Sequence, residues 1–331
     1  MVTETMGGWF PPTEVTLSAR EHTYGSVLGS GANAMIIYYF HEGWNWDGLE
    51  KADSELNFDA PLDKDMNARP PFAILTALGK TLAGELGDRL QKSAVVTAPI
   101  LIGHSKHTQY PLPDMPDAIT IASANSAGLM GFFREAGYFP EVAFLEPLTL
   151  PQLLKYRLVV WEHPGYISKA TLSQLKRYAD RGGQILWIGS VPPASLRHHR
   201  RVIHRAKSPA EGWNGDDYPR LADAGKRIAE WKRHLSGWGL TPLVQVKTED
   251  GLPYVHAWVK KANDGKGSLL FVENFLEKQR TVNVELNSTI GNSSRPANFS
   301  LLWGRAQKRS ASGNRATLTL EPNSTSVFKL D

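Results

Sequence analysis

Two short stretches of the sequence carry residue types that bind or transform polar ligands. The chain opens MVTETMGGWFPP, which places the carboxylate of Glu4 close to two glycines and to Trp9. Further on, the segment HEGWNW contributes His41, Glu42, Trp44, Asn45 and Trp46. Carboxylates and imidazoles serve in acid–base and nucleophilic catalysis, and exposed indoles beside glycine often stack on sugar rings. Both stretches therefore have the composition of a binding cleft.

The elements around these residues read as two βα units within residues 1–92. A continuous apolar run over 34–40 is followed by polar and glycine-rich residues, the pattern of a buried parallel strand that opens into a loop. A helical pattern over 21–28 precedes that strand and stops at Gly29 and Gly31. After Pro70 and Pro71, apolar residues return at helical spacing. The predicted order is strand, helix, strand, long loop, helix.

Residues 93–240 alternate predicted strands and helices. The strands are AVVTAPILIG, YRLVVWEH and QILWIGS, and the helices are GLMGFFREAGYF and SKATLSQLKRYADRGG. This alternation predicts a parallel, doubly wound sheet. No Gly-x-Gly-x-x-Gly motif follows a strand, so we expect no dinucleotide cofactor.

Residues 241–331 consist of short alternating runs separated by turn residues. Such a pattern predicts an antiparallel, sandwich-like domain. The block has few candidate catalytic groups, which favours a packing or binding module.

Composition excludes several classes of function. The formal charge is +4, from 37 Lys and Arg against 33 Asp and Glu, which is too mild to indicate nucleic acid or an anionic membrane as a partner. The absence of cysteine excludes disulfides, zinc–thiolate sites and cysteine nucleophiles. We see no membrane-spanning run and no signal-peptide pattern in these residues, and we expect no cofactor or metal. The compartment stays open.

Two βα units cannot bury a parallel sheet by themselves. A (βα)₈ barrel needs about 250 residues, so the first block would supply its last quarter. In such barrels the chemistry lies at the carboxyl ends of the strands. Glu4 would end one strand and His41 to Asn45 would follow the next, so we expect both to face one mouth.

Three motifs in this order resemble family 35 β-galactosidases. TETMGGWF resembles the nucleophile strand of that family, Thr/Ser-Glu-x-x-x-Gly-Trp-Phe. YFHEGWNW resembles its Phe-His-Gly-Gly-Thr-Asn-Phe/Trp segment, and FDAPLD its Asp-Ala-Pro-Leu/Ile-Asp. The match spans residues 2–65 and implies the C-terminal portion of a (βα)₈ glycosidase barrel over residues 1–92.

The later blocks are more similar to the accessory domains of family 42 β-galactosidases. That resemblance implies a flavodoxin-like α/β domain over 93–240 and an antiparallel β-sandwich over 241–331. The expected fold class is therefore α/β plus all-β.

The resemblance implies that Glu4 is the nucleophile of a retaining glycoside hydrolase acting on a β-galactoside or a related oligosaccharide. Such enzymes need a second carboxyl group about 5–5.5 Å away. The family's acid/base lies in an Asn-Glu pair on an earlier strand, to which no residue here corresponds. We therefore expect the chain alone to be inactive and to associate with an N-terminal barrel chain or with itself.

Several residues keep more than one interpretation. Glu42 and Trp44 depart from the Gly and Thr of the family, which leaves the sugar open. Glu42 is either a second functional carboxylate or a solvent-exposed loop acid, and we favour the loop acid. His41 is either a sugar-pocket residue or a buried histidine. Trp9 and Trp46 either stack on sugar or fill the core.

The main alternative for the whole chain is a non-catalytic carbohydrate-binding or assembly module. A third hypothesis is an amidotransferase-like hydrolase on the doubly wound sheet, which the lack of cysteine disfavours. The residues His104, Lys106 and His107 suggest either a metal site or a loop, and a loop is favoured because no Asp or Glu accompanies them at ligand spacing.

Overall fold

The computed structural model describes residues 2–6, 15–32, 34–38, 40–44, 55–56, 59–109, 118–162, 167–211, 223–263, 267–287, 290 and 298–330. The predicted site residues Trp9, Asn45 and Trp46 lie outside the described residues. The chain divides into two compact units. One joins Met1–Val96 to Val244–Asp331, and the other is Thr97–Leu243. The first and third sequence blocks thus belong to a common unit, while the three-domain division remains a prediction.

The N-terminal part of the first unit contains the two predicted βα segments. Its elements are β1 (Val2–Met6), α1 (Leu17–Gly29), β2 (Met35–Tyr38), β3 (Gly43–Trp44), β4 (Glu55–Leu56), α2 (Pro70–Leu82), α3 (Glu85–Gln91) and β5 (Ser93–Val95). The β1 and β2 strands pair in parallel across α1. The α1 helix begins four residues before the predicted pattern because the Thr16 side chain accepts a hydrogen bond from the Ala19 amide at 3.2 Å. The α2 helix starts at Pro70, a position where the missing amide hydrogen costs nothing.

The C-terminal part of the first unit is antiparallel, as predicted. Its strands are β11 (Val244–Thr248), β12 (Val255–Ala262), β13 (Ser268–Asn274), β14 (Arg280–Leu286), β15 (Phe299–Trp303), β16 (Gln307–Ser312), β17 (Arg315–Leu320) and β18 (Ser324–Leu330). They form a four-stranded sheet in the order β11-β14-β17-β16 and a five-stranded sheet in the order β15-β18-β13-β12-β5. All seven residues of the central strand β13 are buried.

Two glycines let α1 lie close against the five-stranded sheet. A Cβ atom on Gly25 would stand 2.4 Å from the Trp303 ring, and one on Gly29 would stand 2.5 Å from the Trp258 ring. The Trp258 indole also donates to the Gly29 carbonyl oxygen at 2.8 Å. Both contacts require glycine because of the close approach of the helix backbone. They attach the predicted βα segment to the antiparallel part of the unit.

The second unit contains the predicted parallel sheet. Its elements are β6 (Ile100–His104), a 3-10 helix (Lys106–Gln109), α4 (Ala118–Glu135), β7 (Glu141–Phe144), α5 (Leu150–Leu153), β8 (Leu158–Glu162), α6 (Lys169–Asp180), β9 (Gln184–Ile188), α7 (Ala194–Arg197), β10 (Val202–Arg205) and α8 (Ala224–Gly237). All five strands are parallel, in the order β10-β9-β8-β6-β7. Counted along this unit, the order is 2-1-3-4-5, one of the two common doubly wound orders.

The predicted single strand over 94–103 is wrong. The structure has two strands there: β5 pairs antiparallel with β12 in the first unit, and β6 pairs with β7 and β8 in the second. Pro99 lies between them and has no amide hydrogen to continue a ladder. The fold is therefore mixed α/β, with separate parallel and antiparallel sheets. None of the described helices is long and apolar enough to cross a lipid bilayer.

Candidate functional site

The β1 and β2 strands bring the predicted nucleophile strand next to the strand that leads into HEGW. Thr5 pairs with Ile37 and Met6 with Tyr38, and the register shifts between Val2 and Thr5, where Glu4 lies. Because parallel neighbours end at a common edge, the end of β1 and the residues after β2 share one side of this sheet. The backbone of Trp44 lies on β3, which forms a short antiparallel pair with β4.

His41 and Glu42 follow β2 and point to different environments. His41 is exposed and forms a parallel bridge to Leu62, so the interpretation of His41 as a buried histidine is wrong. Glu42 is buried, with 1% of its side chain exposed. The interpretation of Glu42 as a solvent-exposed loop acid is therefore also wrong.

Glu42 is buried because the backbone around it pairs with residues 61–63. The Glu42 amide donates to the Leu62 carbonyl oxygen at 2.9 Å, and the Leu62 amide donates to the Phe40 carbonyl oxygen at 3.1 Å. This backbone pairing places residues 40–42 beside residues 61–63. The two segments are about 20 residues apart in the chain, so the local sequence pattern did not predict their contact.

The buried Glu42 carboxylate meets the guanidinium of Arg69 at two points. Nη2 of Arg69 donates to Oε2 at 2.7 Å, and Nη1 lies 2.6 Å from Oε1. A planar guanidinium suits such a two-point contact, and its charge offsets the cost of removing the carboxylate from water. The Arg69 side chain is 32% exposed, so the pair has one solvated side. We infer that Arg69 holds Glu42 in place.

The Asp-Ala-Pro-Leu-Asp segment has a structural role in this arrangement. Asp59 forms an ion pair with Arg20 of α1, and the Arg20 side chain is fully buried. Nη2 of Arg20 also donates to the Asp59 carbonyl oxygen at 3.0 Å. Burial raises the pKa of the neighbouring Tyr24 hydroxyl, an effect that the Arg20 charge and hydrogen bond partly oppose. Arg20 therefore anchors the start of this segment to α1.

The end of the same segment positions Arg69. Oδ1 of Asp63 accepts hydrogen bonds from the amides of Asp65 and Asn67 at 2.9 and 2.7 Å. Hydrogen bonds from the Asn67 side chain and backbone, helped by the Asp65 amide, hold the pKa of Asp63 below its usual range. The turn brings Ala68 back to Leu62, and the Arg69 amide then donates to the Pro61 carbonyl oxygen at 2.9 Å. Sequence reasoning missed Arg69 because nothing local links it to Glu42.

The described residues that remain exposed at this edge include His41 and Phe40. The Phe40 side chain is 40% exposed, and its ring lies 6.0 Å from that of Phe72, edge to face. An imidazole and an aromatic ring are suited to hydrogen bonding and stacking against a polar ring-shaped ligand. Within the described part of the chain, no group of three or more His, Cys, Asp or Glu residues could hold a metal ion.

Comparisons with known proteins give similarity in structure rather than in sequence. No protein-family model matches the sequence, and none of the curated proteins matches it significantly. A GH42 β-galactosidase from G. stearothermophilus is similar at a TM-score of 0.63 with 10% identity, covering 99% of this chain and 53% of that one. The β-galactosidase from Bacillus circulans sp. alkalophilus gives a TM-score of 0.63 with 12% identity, covering 99% of this chain and 55% of its own.

A second kind of glycosidase is also similar. The α-L-fucosidase isoenzyme 2 from Paenibacillus thiaminolyticus has a TM-score of 0.56 with 8% identity, covering 100% of this chain and 60% of its own. The chain thus spans between about half and three fifths of the length of these structures. At such low identity the likeness concerns the fold alone. The chain therefore has a β-galactosidase-like glycoside hydrolase fold.

Proposed function

We propose that this chain forms the C-terminal part of a retaining glycoside hydrolase of β-galactosidase type, with Glu4 as its nucleophile. The observation that supports this most is the parallel pairing of β1 with β2, which sets the Glu4 strand beside the strand that leads to His41. Together with the β-galactosidase-like fold, this pairing suits the last strands of a barrel. The family 35 resemblance of residues 2–65 and the family 42 resemblance of the rest belong to this proposal.

In the proposed reaction, the Glu4 carboxylate attacks the anomeric carbon and a second carboxyl group protonates the leaving oxygen. Water then cleaves the glycosyl ester, with the second group acting as base. That second group would lie on a strand that these 331 residues do not include. It would come from a chain or segment carrying the remaining barrel strands, and association with that chain or segment would complete the site.

The other residues of the edge have supporting roles in the proposal. His41 binds a sugar hydroxyl, and Trp9, Trp44, Asn45 and Trp46 complete the sugar pocket. Glu42 departs from the glycine of the resembled family, and its contact with Arg69 fixes the backbone of the HEGW segment. Glu42 thus serves binding by positioning His41.

The nucleophile can be tested without the acid/base group. A 2,4-dinitrophenyl 2-deoxy-2-fluoro-β-galactoside carries a leaving group that needs no protonation, so a competent nucleophile forms a stable ester with it. We expect a mass increase of one fluorogalactosyl group, mapped by peptide sequencing to Glu4 and lost in Glu4→Gln. Glu277→Gln, which changes an exposed glutamate in a turn, is the matched control and should still react.

Turnover of an ordinary aryl β-galactoside provides the second readout. The chain alone should show none, because the proposed acid/base group is not among its residues. Label that maps to another residue, or label that persists in Glu4→Gln, would overturn the role of Glu4 as nucleophile. Turnover by the chain alone would instead overturn the proposal of a separate acid/base group.

A groove on the four-stranded antiparallel sheet supports the alternative of a carbohydrate-binding module. Its lining side chains form two cross-strand rows, Lys247–Asn283–Thr317 and Gln245–Glu285–Arg315. The Thr317 hydroxyl donates to Oδ1 of Asn283 at 2.8 Å. Hydroxyl, amide and charged groups on one face can bind a polar ligand. Galactoside binding that survives Glu4→Gln and disappears in Asn283→Ala would favour this alternative.

A further inference from the structure

The carboxyl ends of the parallel strands in the second unit place chemically distinct side chains in one row. His104 at the end of β6 pairs with Phe144 at the end of β7. On the other side, Glu162 at the end of β8 pairs with Ile188, which pairs with Arg205. Residues paired in this way project from the same face of a sheet. One face of this edge therefore presents a ring, an imidazole, a carboxyl group and, farther along, a guanidinium.

His104 and Glu162 flank the point where the strand order reverses. The ladder between β6 and β8 includes the pair Ile102 and Val160 and stops there, two residues before each strand ends. In the order 2-1-3-4-5 this is the boundary between the first and third strands, where doubly wound sheets open a crevice that binds ligands. The two side chains thus lie on either side of this strand boundary.

Glu162 has few hydrogen-bond partners among the residues that the structure describes. It is half-buried, and within the described part of the chain one hydrogen-bond donor reaches it, the hydroxyl of Ser208 at 2.8 Å from Oε2. Burial, and to a smaller extent the charge of Glu211, raise the pKa of Glu162 to about 7, against the opposing effect of Ser208. A carboxyl group costs free energy in such a place unless further donors approach it. Ligand hydroxyls would supply them.

His104 offers a complementary donor and acceptor. Nε2 of His104 lies 2.6 Å from the hydroxyl oxygen of Ser126 on α4, and its ring lies 6.0 Å from that of Phe144. Burial lowers the pKa of His104, which favours the neutral imidazole, in which one ring nitrogen donates and the other accepts. Sequence reasoning favoured a loop for His104, whereas the structure ends β6 with it.

We propose that this crevice, between His104 with Ser126 and Glu162 with Ser208, binds a small hydroxyl-rich ligand of the monosaccharide class. A carboxyl group, an imidazole and the Ser126 hydroxyl match the donors and acceptors of vicinal hydroxyls. Ser208, which donates to Glu162 and accepts from the Ala210 amide at 3.2 Å, positions the carboxyl group. The half-buried Phe144 provides an apolar edge for the C–H face of a sugar ring. Arg205, the charged member of the row that would attract an anion, is exposed and two strands away from Glu162. This site is independent of Glu4.

Binding should strengthen as pH rises through about 7, because ligand hydroxyls donate to the ionised form of Glu162. Charged or titratable side chains on the surrounding elements are His104 on β6, Arg205 on β10, Lys207 and Glu211 after β10, and Arg227 on α8, which donates to the Glu211 carbonyl oxygen at 2.8 Å. Burial lowers the pKa of His104, and the Glu162→Gln variant separates the pH dependence of Glu162 from any contribution of His104.

The test is titration of the full chain with D-galactose, followed by saturation-transfer NMR and calorimetry at about pH 6 and pH 8. We expect binding that is stronger at the higher pH, and about tenfold weaker or lost in Glu162→Gln, with no remaining pH dependence. Ser126→Ala should weaken binding as well. Glu230→Gln on α8 makes the same chemical change at a side chain that is 47% exposed and should bind like the parent.

Three results would overturn the proposal. They are no binding of galactose at either pH, binding unchanged in Glu162→Gln, and binding lost in Glu4→Gln but retained in Glu162→Gln. The last result would assign the sugar to the other unit. A near-ultraviolet circular dichroism spectrum of each variant verifies that it is folded, so that a loss of binding reports on the site.

Discussion

The Glu42 carboxylate and the Arg69 guanidinium make two contacts, Nη1 to Oε1 at 2.6 Å and Nη2 to Oε2 at 2.7 Å. The two residues are 27 positions apart in the chain. The contact fixes the segment after β2 against the segment that contains Asp59 and Asp63. Glu42, which the sequence suggested was a surface acid, is therefore a buried residue that connects two segments of the candidate site.

Removing the guanidinium should leave the buried Glu42 carboxylate without its charge partner. We expect Arg69→Met to lower the free energy of unfolding by about 2–4 kcal/mol, since an uncompensated buried charge is costly. The exposed side of Arg69 favours the lower end of this range. Urea unfolding measures the change. Arg315→Met breaks an ion pair in which the two side chains are 69% and 35% exposed, and this control should cost less than about 1 kcal/mol.

Gly25 should not tolerate a side chain. Gly25→Ala would place a methyl group 2.4 Å from the Trp303 ring and 2.6 Å from Thr325, and we expect a loss of about 1–3 kcal/mol from overpacking. Gly79→Ala in α2 is the matched control, because nothing lies within 4 Å of its added Cβ atom. That control should be stabilising by about 0.5–1 kcal/mol, since alanine is the better helix former. Thermal unfolding of both variants tests the packing of α1, and equal effects would contradict it.

The free energy of unfolding should fall as pH rises, because of the raised pKa of Glu162. Its pKa is about 7 in the folded chain and 4.5 ordinarily, so the folded state holds a proton that the unfolded state releases in this range. The free energy of unfolding therefore falls by roughly 3 kcal/mol between about pH 4.5 and pH 7 and levels off above. Glu162→Gln removes this loss. Urea unfolding should show the variant gaining stability over the parent at pH 8 and little difference at pH 4.5. A constant difference across this range would contradict the assignment.

Asp250 should have the opposite pH dependence. Burial opposes ionisation of Asp250, but hydrogen bonds from Arg280 and Lys278 outweigh it and hold the pKa of Asp250 well below its usual range. Its stabilising contribution is present above the unfolded-state value of 3.8 and is lost as pH falls below that value. At pH 7, Asp250→Asn should cost about 2–4 kcal/mol, because the Arg280 side chain is only 1% exposed.

Denaturant titrations at pH 7 and about pH 2 measure the effect of Asp250→Asn. The difference from the parent should shrink at the lower pH. The control, Asp88→Asn, changes a side chain that is 77% exposed and lies 3.9 Å from Lys92, so we expect a change below about 0.5 kcal/mol. A large effect of the control, or a pH-independent effect of Asp250→Asn, would contradict this account.

The sequence by itself determined most of the local structure. Apolar runs bounded by glycine and proline predicted β2, β8, β9, α1, α2 and α6, and the alternation of these patterns predicted parallel strands in one region and antiparallel strands in another. Hydrophobic periodicity and turn chemistry act over neighbouring residues, so they can be read from the sequence alone. The strand β10, Val202–Arg205, was not predicted because it is short and its two apolar residues are followed by His204 and Arg205, which gives no strand pattern.

Tertiary structure alone decided the chemistry of individual side chains. Whether Glu42 is exposed depends on Leu62 and Arg69, and whether Glu162 ionises at neutral pH depends on burial and on Ser208, which is 46 residues away. Burial, charge pairing and hydrogen bonding are set by which distant segments meet. These contacts cannot be read from a single sequence, because they form only when segments that are distant in the chain pair with each other.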